Sequence, residues 1–485
     1  MSPLDLLVAA PLAFMVAALV LGQGGRWLIL AAGPVMLGLS AWLLALPPDA
    51  AHLVGNWDLP LGILLRADGV ARLLVPATCV CFVAVALYAW PEFSPKAGRE
   101  TARAHTFWPM LYLMWGGSNA GYLTTDLFNL YVTIEMVSLA AVALAAMGSL
   151  AAGLQYFMIA LVGSLAYLLG VALLAGHYDT VDATLLAVRA RPDLPTVLAL
   201  AVMTAGLLVK AALFPLHGWL PPAHAAAPAP ASALLSAIVV KLGFVIILRL
   251  WFEAFAEVVR PAAIHLLGGM GALAVIYGSI QAIRQERLKP LVAYSTVAQL
   301  GYLFLAFPLI WNARIPGEPW AAVLVHAVAH MLAKAAMFLA AGLMLKAVAG
   351  DRISDLGGLA RAMPLSVTAF ALAAISLMGL PPSGGFTAKF LLLHAAIEQG
   401  QVIYAGVLVI GGLLGAAYLF RPLSVAFGAS AAPVVRAEGA LRVAAPLTLA
   451  ALAIALGFAG MTLIELSSIG APPAIALPLA EEPGP

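Results

Sequence analysis

Long apolar runs constrain this chain more than any other feature of its sequence. Stretches of about 20 apolar residues, long enough to cross a bilayer as a helix, follow one another almost from end to end. Hydrophobic residues make up 64% of the chain and charged residues 9%, against about 25% charged residues in soluble domains. Only helices or closed barrels satisfy their backbone groups inside a bilayer, and these runs lack the alternating polarity of barrel strands. The sequence therefore predicts an all-α polytopic membrane protein.

Breaks at Gly, Pro and charged residues divide the chain into about 14 predicted spans. They begin near Leu6, Trp27, Val70, Phe107, Leu127, Leu154, Thr196, Ala231, Ala262, Leu291, Trp320, Leu365, Val402 and Leu441. The longest predicted loop, from about Pro47 to Asp68, is too short for a soluble catalytic domain. Glycine motifs for nucleotide binding in a strand–turn–helix context are also missing from the sequence. We therefore expect no hydride transfer or nucleotide hydrolysis within the chain itself.

Lys and Arg residues outside the spans predict its orientation. The larger set falls on one side and comprises Arg26, Lys96, Arg99, Arg103, Arg284, Arg287, Lys289, Lys346, Arg352, Arg361, Arg421, Arg436 and Arg442. By the positive-inside rule this side faces the cytoplasm. With an even number of spans, both termini are then expected outside, with the chain in a bacterial inner membrane. Glu481 and Glu482 would lie in a short outside tail.

Ionisable side chains inside the spans are candidate functional residues, because placing each one in a bilayer is costly. Glu135 lies in the run DLFNLYVTIEMVSL with no basic residue within a helical turn, so we expect its partner on another helix. The alternative is a structural glutamate hydrogen-bonded to Asn129 or Ser138. Asp126, at the start of the same span, is interpreted as a helix N-cap and is a weaker candidate.

Two lysines accompany predicted breaks in the helices. One span runs through Lys210 to Phe214 before its break, whereas Lys389 follows its break in LPPSGGFTAKF. The residues expected to break the helices are Pro215, Pro221, Pro381, Pro382 and Gly384. The order of break and lysine is reversed between the two segments, as an inverted-topology repeat requires. Lys210 could exchange a proton with Glu135 if the two are neighbours, and a plain ion pair is the alternative.

A third group of candidates lies between the two broken segments. Lys241 lies within LLSAIVVKLGFVIILRL, and His326, His330 and Lys334 are spaced by four residues in HAVAHMLAK. This spacing puts the three on one face of a helix, as a ladder about 12 Å long. Histidine suits a proton relay because it titrates nearest neutrality. The alternatives are interhelical hydrogen bonding and a metal site, for which two histidines form a poor ligand set. The weaker candidates of the same kind are His217 and His394.

A row of buried ionisable groups can pass a charge signal sideways through a membrane. Each change of charge acts on its neighbours through a medium that screens poorly. Cys79 and Cys81 lie on different sides of one predicted helix and offer no ligand set, so no metal or cofactor is expected. The near balance of 24 basic and 22 acidic side chains excludes nucleic acid as a partner.

The segments DLFNLYVTIEMVSL, KAALFPLHGWLPPAHAAAPAPASALLSAIVVKLG, HAVAHMLAKAAMF and LPPSGGFTAKF together resemble the proton-conducting antiporter-like family. This family includes the large membrane subunits of respiratory complex I, their hydrogenase relatives, and the A-type and D-type subunits of the Mrp cation/proton antiporters. The resemblance extends from about Ala67 to Leu466. It implies about 14 helices with two inverted five-helix repeats, each containing a broken helix. Residues 1–105 would form the first three helices, 106–250 the first repeat, 261–428 the second, and 440–485 the last helix and tail.

The resemblance also implies a proton-conducting axis formed by Glu135, Lys210, Lys241, His326, His330, Lys334 and Lys389. Glu135 and Lys210 look like the coupled pair of a first half-channel, Lys241 like the central connector, and Lys389 like the key group of a second half-channel. The sequence around Glu135 and Lys210 is most similar to that of D-type Mrp subunits. This similarity implies exchange of H⁺ for Na⁺ or K⁺ together with other membrane subunits.

Two alternatives to that function remain. A proton-pumping membrane subunit of NADH:quinone oxidoreductase or of a membrane-bound hydrogenase would use the same axis, driven by redox partners. A non-conducting scaffold would not need the buried lysines, so their presence argues against it.

Overall fold

The computed structural model describes residues 2–94, 102–313, 317–348, 350–428 and 439–472, which form an almost entirely helical bundle. This architecture confirms the predicted fold class. Five residues that entered the predictions on orientation and on the tail lie outside the described residues: Lys96, Arg99, Arg436, Glu481 and Glu482.

The bundle consists of twenty α-helices and one short hairpin in the described part of the chain. The helices are α1 (Pro3–Leu21), α2 (Ile29–Ala45), α3 (Gly69–Ala89), α4 (Ala102–Leu123), α5 (Leu127–Ala146), α6 (Leu150–Tyr178), α7 (Ala183–Arg189), α8 (Leu194–Lys210), α9 (Leu220–Ala226), α10 (Ala229–Leu234), α11 (Val240–Arg249), α12 (Pro261–Arg284), α13 (Leu288–Trp311), α14 (Glu318–Ala347), α15 (Leu359–Ala362), α16 (Pro364–Met378), α17 (Gly384–Glu398), α18 (Val402–Phe427), α19 (Ala440–Ala455) and α20 (Gly460–Ser468). The antiparallel strands β1 (Ala51–Leu53) and β2 (Leu64–Arg66) lie in the longest predicted loop.

The helices combine into membrane-crossing segments that match the predicted spans one for one. Eleven segments in the described part are long and apolar enough to cross a bilayer by themselves. Three of these join neighbouring helices. A 3₁₀ turn precedes α2 in Gly24–Ala45, π-helical turns make Ala229–Ala254 continuous, and a 3₁₀ turn makes Ala440–Ser468 continuous. The remaining crossings are α4 and the two interrupted segments, α8 with α9 and α16 with α17. The chain is therefore a multi-pass membrane protein.

The centre of the bundle contains the helices that carry the ionisable residues. The apolar window of Ala229–Ala254 is 100% buried by protein, and those of α13 and α14 are each 94% buried, whereas that of α1 is only 22% buried. The helix α14 packs against α3, α10, α13, α16, α17 and α19. Polar groups on α14 are therefore shielded from lipid on all sides, where a bilayer protein can hold them.

The first interruption follows from a proline. Pro215 has no N–H group, and its ring would clash with the carbonyl group four residues earlier if the helix continued. The helix α8 accordingly ends at Lys210, not at Phe214 as the sequence predicted. Pro221 was expected to break a helix, but it lies in the first turn of α9, where a missing N–H costs nothing. That prediction was wrong for Pro221.

The second interruption has a glycine at one side and a serine cap at the other. Gly379 ends α16 with a φ angle of +81°, a conformation that glycine adopts without steric cost. Ser383 caps α17, since its side chain accepts a hydrogen bond from the N–H of Phe386, and Gly384 is the first residue of α17. The carboxyl end of one half-helix and the amino end of the next thus meet inside one membrane segment.

The two halves of the chain traverse their broken segments in opposite order. Lys210 is the last residue of the half-helix before the first break, and Lys389 lies beyond the second break. This arrangement is that of inverted repeats. The exact repeat boundaries remain predictions.

Candidate proton-conducting site

The predicted axis residues lie inside the bundle. Lys210, Lys241, His326, His330 and Lys334 are buried. Glu135 and Lys389 are partly buried. These side chains come from α5, α8, α11, α14 and α17, so packing of helices from both halves of the chain brings them together.

The first group joins α5 to the broken segment. Lys210 Nζ lies 3.4 Å from Glu135 Oε1 and donates to Ser138 Oγ at 2.8 Å. The hydroxyl of Ser164 on α6 also donates to Glu135 Oε1. The structure thus places a lysine from another helix beside Glu135. The distance of 3.4 Å is longer than the usual length of a charge-assisted hydrogen bond.

An aromatic side chain bridges the interruption beside Lys210. Trp219 donates its indole N–H to Val209 O at 2.9 Å, a carbonyl in the last turn of α8 that also accepts a hydrogen bond from the N–H of Ala212 at 3.1 Å. The same ring stacks on Tyr156 of α6 at 4.1 Å between centroids. This contact holds the two half-helices in place around Lys210.

The central group contains two lysines with neutral acceptors only. Lys241 donates to the carbonyl of Ser236, whereas Lys334 donates to Val292 O at 3.0 Å and to the hydroxyl of Ser295. Neither lysine forms an ion pair within the part of the chain that the structure describes. The two lie close enough to interact electrostatically, so a charge on one opposes a charge on the other.

The two histidines continue this line along α14. His326 Nε2 lies 3.2 Å from Gln299 O, and the ring centroids of His326 and His330 are 6.0 Å apart. Both ring nitrogens of His330 are buried without a hydrogen-bond partner among the described residues. A group of three or more His, Cys, Asp or Glu residues that could hold a metal ion is not present in that part of the chain.

The last group is Lys389 at the second interruption. Its ammonium group donates to Leu377 O at 2.7 Å and lies 4.3 Å from the centre of the Tyr302 ring. Gln299 donates to the same carbonyl at 3.0 Å. The carbonyl end of α16, freed by the break, therefore holds the lysine.

His217 lies apart from the axis. It is buried in the first interruption between the rings of Phe214 and Tyr277, at centroid distances of 5.6 and 5.1 Å. Its Nδ1 atom has no hydrogen-bond partner among the described residues.

Two further weak candidates lie at helix ends. His394 lies 2.8 Å from Glu318 Oε1 at the start of α14, as a partly exposed pair. Asp126 accepts a hydrogen bond from the N–H of Asn129 at 2.5 Å, which confirms the predicted N-cap of α5. Burial raises the pKa of Asp126.

The sequence reading missed an ion cluster at the end of the α11 segment. Arg249 forms an ion pair with Asp68 at 2.8 Å, and Arg66 forms ion pairs with both Asp68 and Glu253. Burial opposes ionisation of Asp68, but the charges of Arg249 and Arg66 outweigh it and hold the pKa of Asp68 below its usual range. The spacing of Arg249 and Glu253 by four residues was a usable signal.

A further buried histidine was not among the predicted site residues. His224 on α9 is fully buried and stacks on Phe338 at 4.9 Å between centroids. Neither of its ring nitrogens has a hydrogen-bond partner in the described part of the chain. Its sequence context offers no periodic signal.

Comparisons with known proteins show which membrane subunits the chain is similar to. Residues 124–415 match the family model described as NADH:quinone oxidoreductase/Mrp antiporter, TM. The chain is 37% identical over 78% of its length to NADH-quinone oxidoreductase subunit N of Desulforudis audaxviator, covering 75% of that protein. It is 31% identical over 74% of its length to the D-type subunit of the Na⁺/H⁺ antiporter of Alkalihalophilus pseudofirmus, covering 72% of it. A chain of the Mrp complex from Dietzia sp. superposes with a TM-score of 0.87 at 25% identity, over 97% of both chains.

Proposed function

Since this chain belongs to the NADH:quinone oxidoreductase/Mrp antiporter family, we propose that it is a proton-translocating antiporter-like subunit of a multi-subunit membrane complex. One observation carries the proposal: a row of buried ionisable groups runs from Glu135 and Lys210 at one broken helix to Lys389 at the other. Buried lysines such as Lys241 and Lys334, which meet no carboxylate among the described residues, are too costly in a membrane bundle to be retained for packing alone.

The geometry supports a stepwise relay. The Glu135 carboxylate and the Lys210 ammonium group are neighbours, with Oε1 and Nζ 3.4 Å apart, so a proton can pass between them. When Lys210 separates from the carboxylate, its positive charge is no longer compensated. Further along the row, the charges of Lys241 and Lys334 act on each other. His326 and His330 lie between the central lysines and Lys389 and interact with their charges, and an imidazole ring can shuttle a proton between its neighbours. Each shift of charge thus favours the next transfer along the row.

The exchange that we propose is of H⁺ for Na⁺ or K⁺, in the manner of D-type subunits of Mrp antiporters. Two observations support it: the likeness to the Alkalihalophilus Na⁺/H⁺ antiporter protein and the superposition on the Mrp complex over nearly the whole chain. The partners would be other membrane subunits, and the membrane a bacterial inner membrane with both termini outside.

A second candidate is a proton-pumping subunit of a redox-driven complex, favoured by the relative named NADH-quinone oxidoreductase subunit N. Purification of the tagged chain from its native membrane in mild detergent separates the two. Small membrane subunits alone, followed by cation-dependent ΔpH changes in proteoliposomes, would support the antiporter. Iron–sulfur or flavin subunits in the same preparation would support the redox-driven pump.

A further inference from the structure

The ammonium group of Lys389 lies where the second interruption exposes backbone carbonyl groups. Its Nζ atom lies 2.7 Å from Leu377 O and 3.5 Å from Met378 O. These are the last two residues of α16, whose carbonyl groups have no partner further along the helix. The negative end of the helix dipole also favours a cation at this place.

Two side chains of α13 complete the surroundings. The ring face of Tyr302 lies 4.3 Å from Lys389 Nζ, a distance at which aromatic rings attract cations. Gln299 donates its amide N–H to Leu377 O at 3.0 Å, which puts its carboxamide group in the same cluster. The oxygen of that carboxamide is buried and has no hydrogen-bond partner among the described residues.

The ligand chemistry of this cluster is that of a monovalent cation. Within the described ranges, Lys389 takes part in no ion pair, so no carboxylate neutralises it. Divalent cations in proteins usually have carboxylate ligands. Carbonyl oxygens at interrupted membrane helices instead coordinate monovalent ions in channels and transporters.

We propose that Leu377 O, Met378 O, the carboxamide oxygen of Gln299 and the ring of Tyr302 form a binding site for a dehydrated alkali cation, which the ammonium group of Lys389 fills in this structure. The inference rests on the proposed antiport function and names where the exchanged cation binds. When the cation enters, the ammonium group releases one proton and becomes a neutral amine. One positive charge replaces another, so the net charge of the site does not change.

Electrostatics makes the two occupants exclude each other. Two unit charges about 4 Å apart in protein weaken each other's binding by about a thousandfold. The cation should therefore bind weakly while Lys389 is protonated and more tightly as the pH rises. The other titratable groups near the site are His326 and His330 on α14, Tyr302 on α13 and Tyr418 on α18. A proton on either histidine would add to the exclusion by Lys389.

The test is equilibrium binding of radioactive sodium ions, with rubidium ions in place of K⁺ in a second arm, to the purified complex at several pH values. Wild-type binding should strengthen as the pH rises. Lys389→Met keeps the length of the side chain but removes the competing charge, so binding should tighten at low pH by up to about a thousandfold and lose most of its pH dependence. Adding Gln299→Leu to this variant should weaken binding about tenfold.

The matched control is Lys346→Met, because Lys346 is a lysine at the far end of α14 that pairs with Glu92 at 2.7 Å. It should bind cations as the wild type does, and binding by partner subunits is the same in every variant. Unaltered pH-dependent binding in Lys389→Met, or no loss on adding Gln299→Leu, would overturn the site. If Lys389→Met fails to assemble, Gln299→Leu alone decides, since it should weaken wild-type binding at high pH.

The outcome for this site can be separated from that for the proposed function. If the wild-type complex exchanges protons for cations in proteoliposomes but cation binding is the same in all variants, the proposed function is supported and the proposed cation site is refuted. If the wild-type complex shows neither exchange nor proton translocation, the proposed function itself is refuted.

Discussion

At the scale of single residues, the chain combines two kinds of buried charge. Arg66, Asp68, Arg249 and Glu253 form a cluster in which each positive charge meets a carboxylate. Among the described residues, Lys241 in contrast hydrogen-bonds only a neutral carbonyl oxygen. A compensated cluster holds helices together, whereas an uncompensated lysine can change its charge when a neighbour does. Substitutions should therefore separate a stability site from a transport site.

Glu135→Gln or Lys210→Ala should abolish ion exchange, because either change removes one member of the pair at the first broken helix. Both variants should still insert and assemble. The measurement is cation-dependent ΔpH change in proteoliposomes containing the purified complex. Asp126→Asn is the control, since its side chain caps α5 and should matter less for exchange. Normal exchange in both variants would refute the first half of the axis.

Asp68→Asn should instead lower stability by about 3–5 kcal/mol, because it leaves Arg249 buried with its main carboxylate partner removed. Because the pKa of Asp68 is lowered in the folded chain, the stability that its carboxylate contributes depends on pH. That stability is fully present above the ordinary pKa of an aspartate and is lost as the pH falls through the lowered pKa. The thermal midpoint in detergent measures both effects. Asp193→Asn, at an exposed helix cap, should shift the midpoint far less.

At the scale of elements, apolar length and proline position carried most of the predictable information. The spans could be predicted because a bilayer demands about 20 apolar residues per crossing, and each predicted start falls in an observed segment. The partner of Glu135 was expected on another helix, but the contacts of Gln299, Tyr302 and His224 could not be predicted. Those contacts join helices far apart in sequence, and a single helix's periodicity does not specify which face meets which neighbour.

Gly379→Ala tests the second interruption. Gly379 has a φ angle of +81°, and an added Cβ atom would lie 2.8 Å from Lys389 Cδ, so the lysine must move. We expect exchange to fall several-fold, with a backbone cost of about 1 kcal/mol. Gly400→Ala is a matched control, because Gly400 has a φ angle of +67° and open space around its missing Cβ. Equal losses of exchange in the two variants would show that backbone strain alone, not the position of Lys389, is responsible.

At the scale of the whole molecule, the two halves meet at the centre of the axis. Ser236, in the segment that carries Lys241, bonds Thr296 of the second half at 2.9 Å between their hydroxyl oxygens. Lys334 donates a hydrogen bond to the hydroxyl of Ser295, the residue next to Thr296. The central lysines are therefore linked through neighbouring positions of α13, which gives the proposed axis a short path between the two halves.

Lys241→Met should therefore stop exchange although both broken helices keep their own lysines. The variant removes the central charge and leaves the Glu135–Lys210 pair and the carbonyl groups around Lys389 in place. If the halves conduct independently, proteoliposomes should retain part of the wild-type ΔpH signal. If the axis is continuous, the signal should be lost while sodium binding to the purified complex persists. Lys346→Met provides the control for removing a lysine near the bundle surface, and retained exchange in Lys241→Met would show that the halves do not depend on each other.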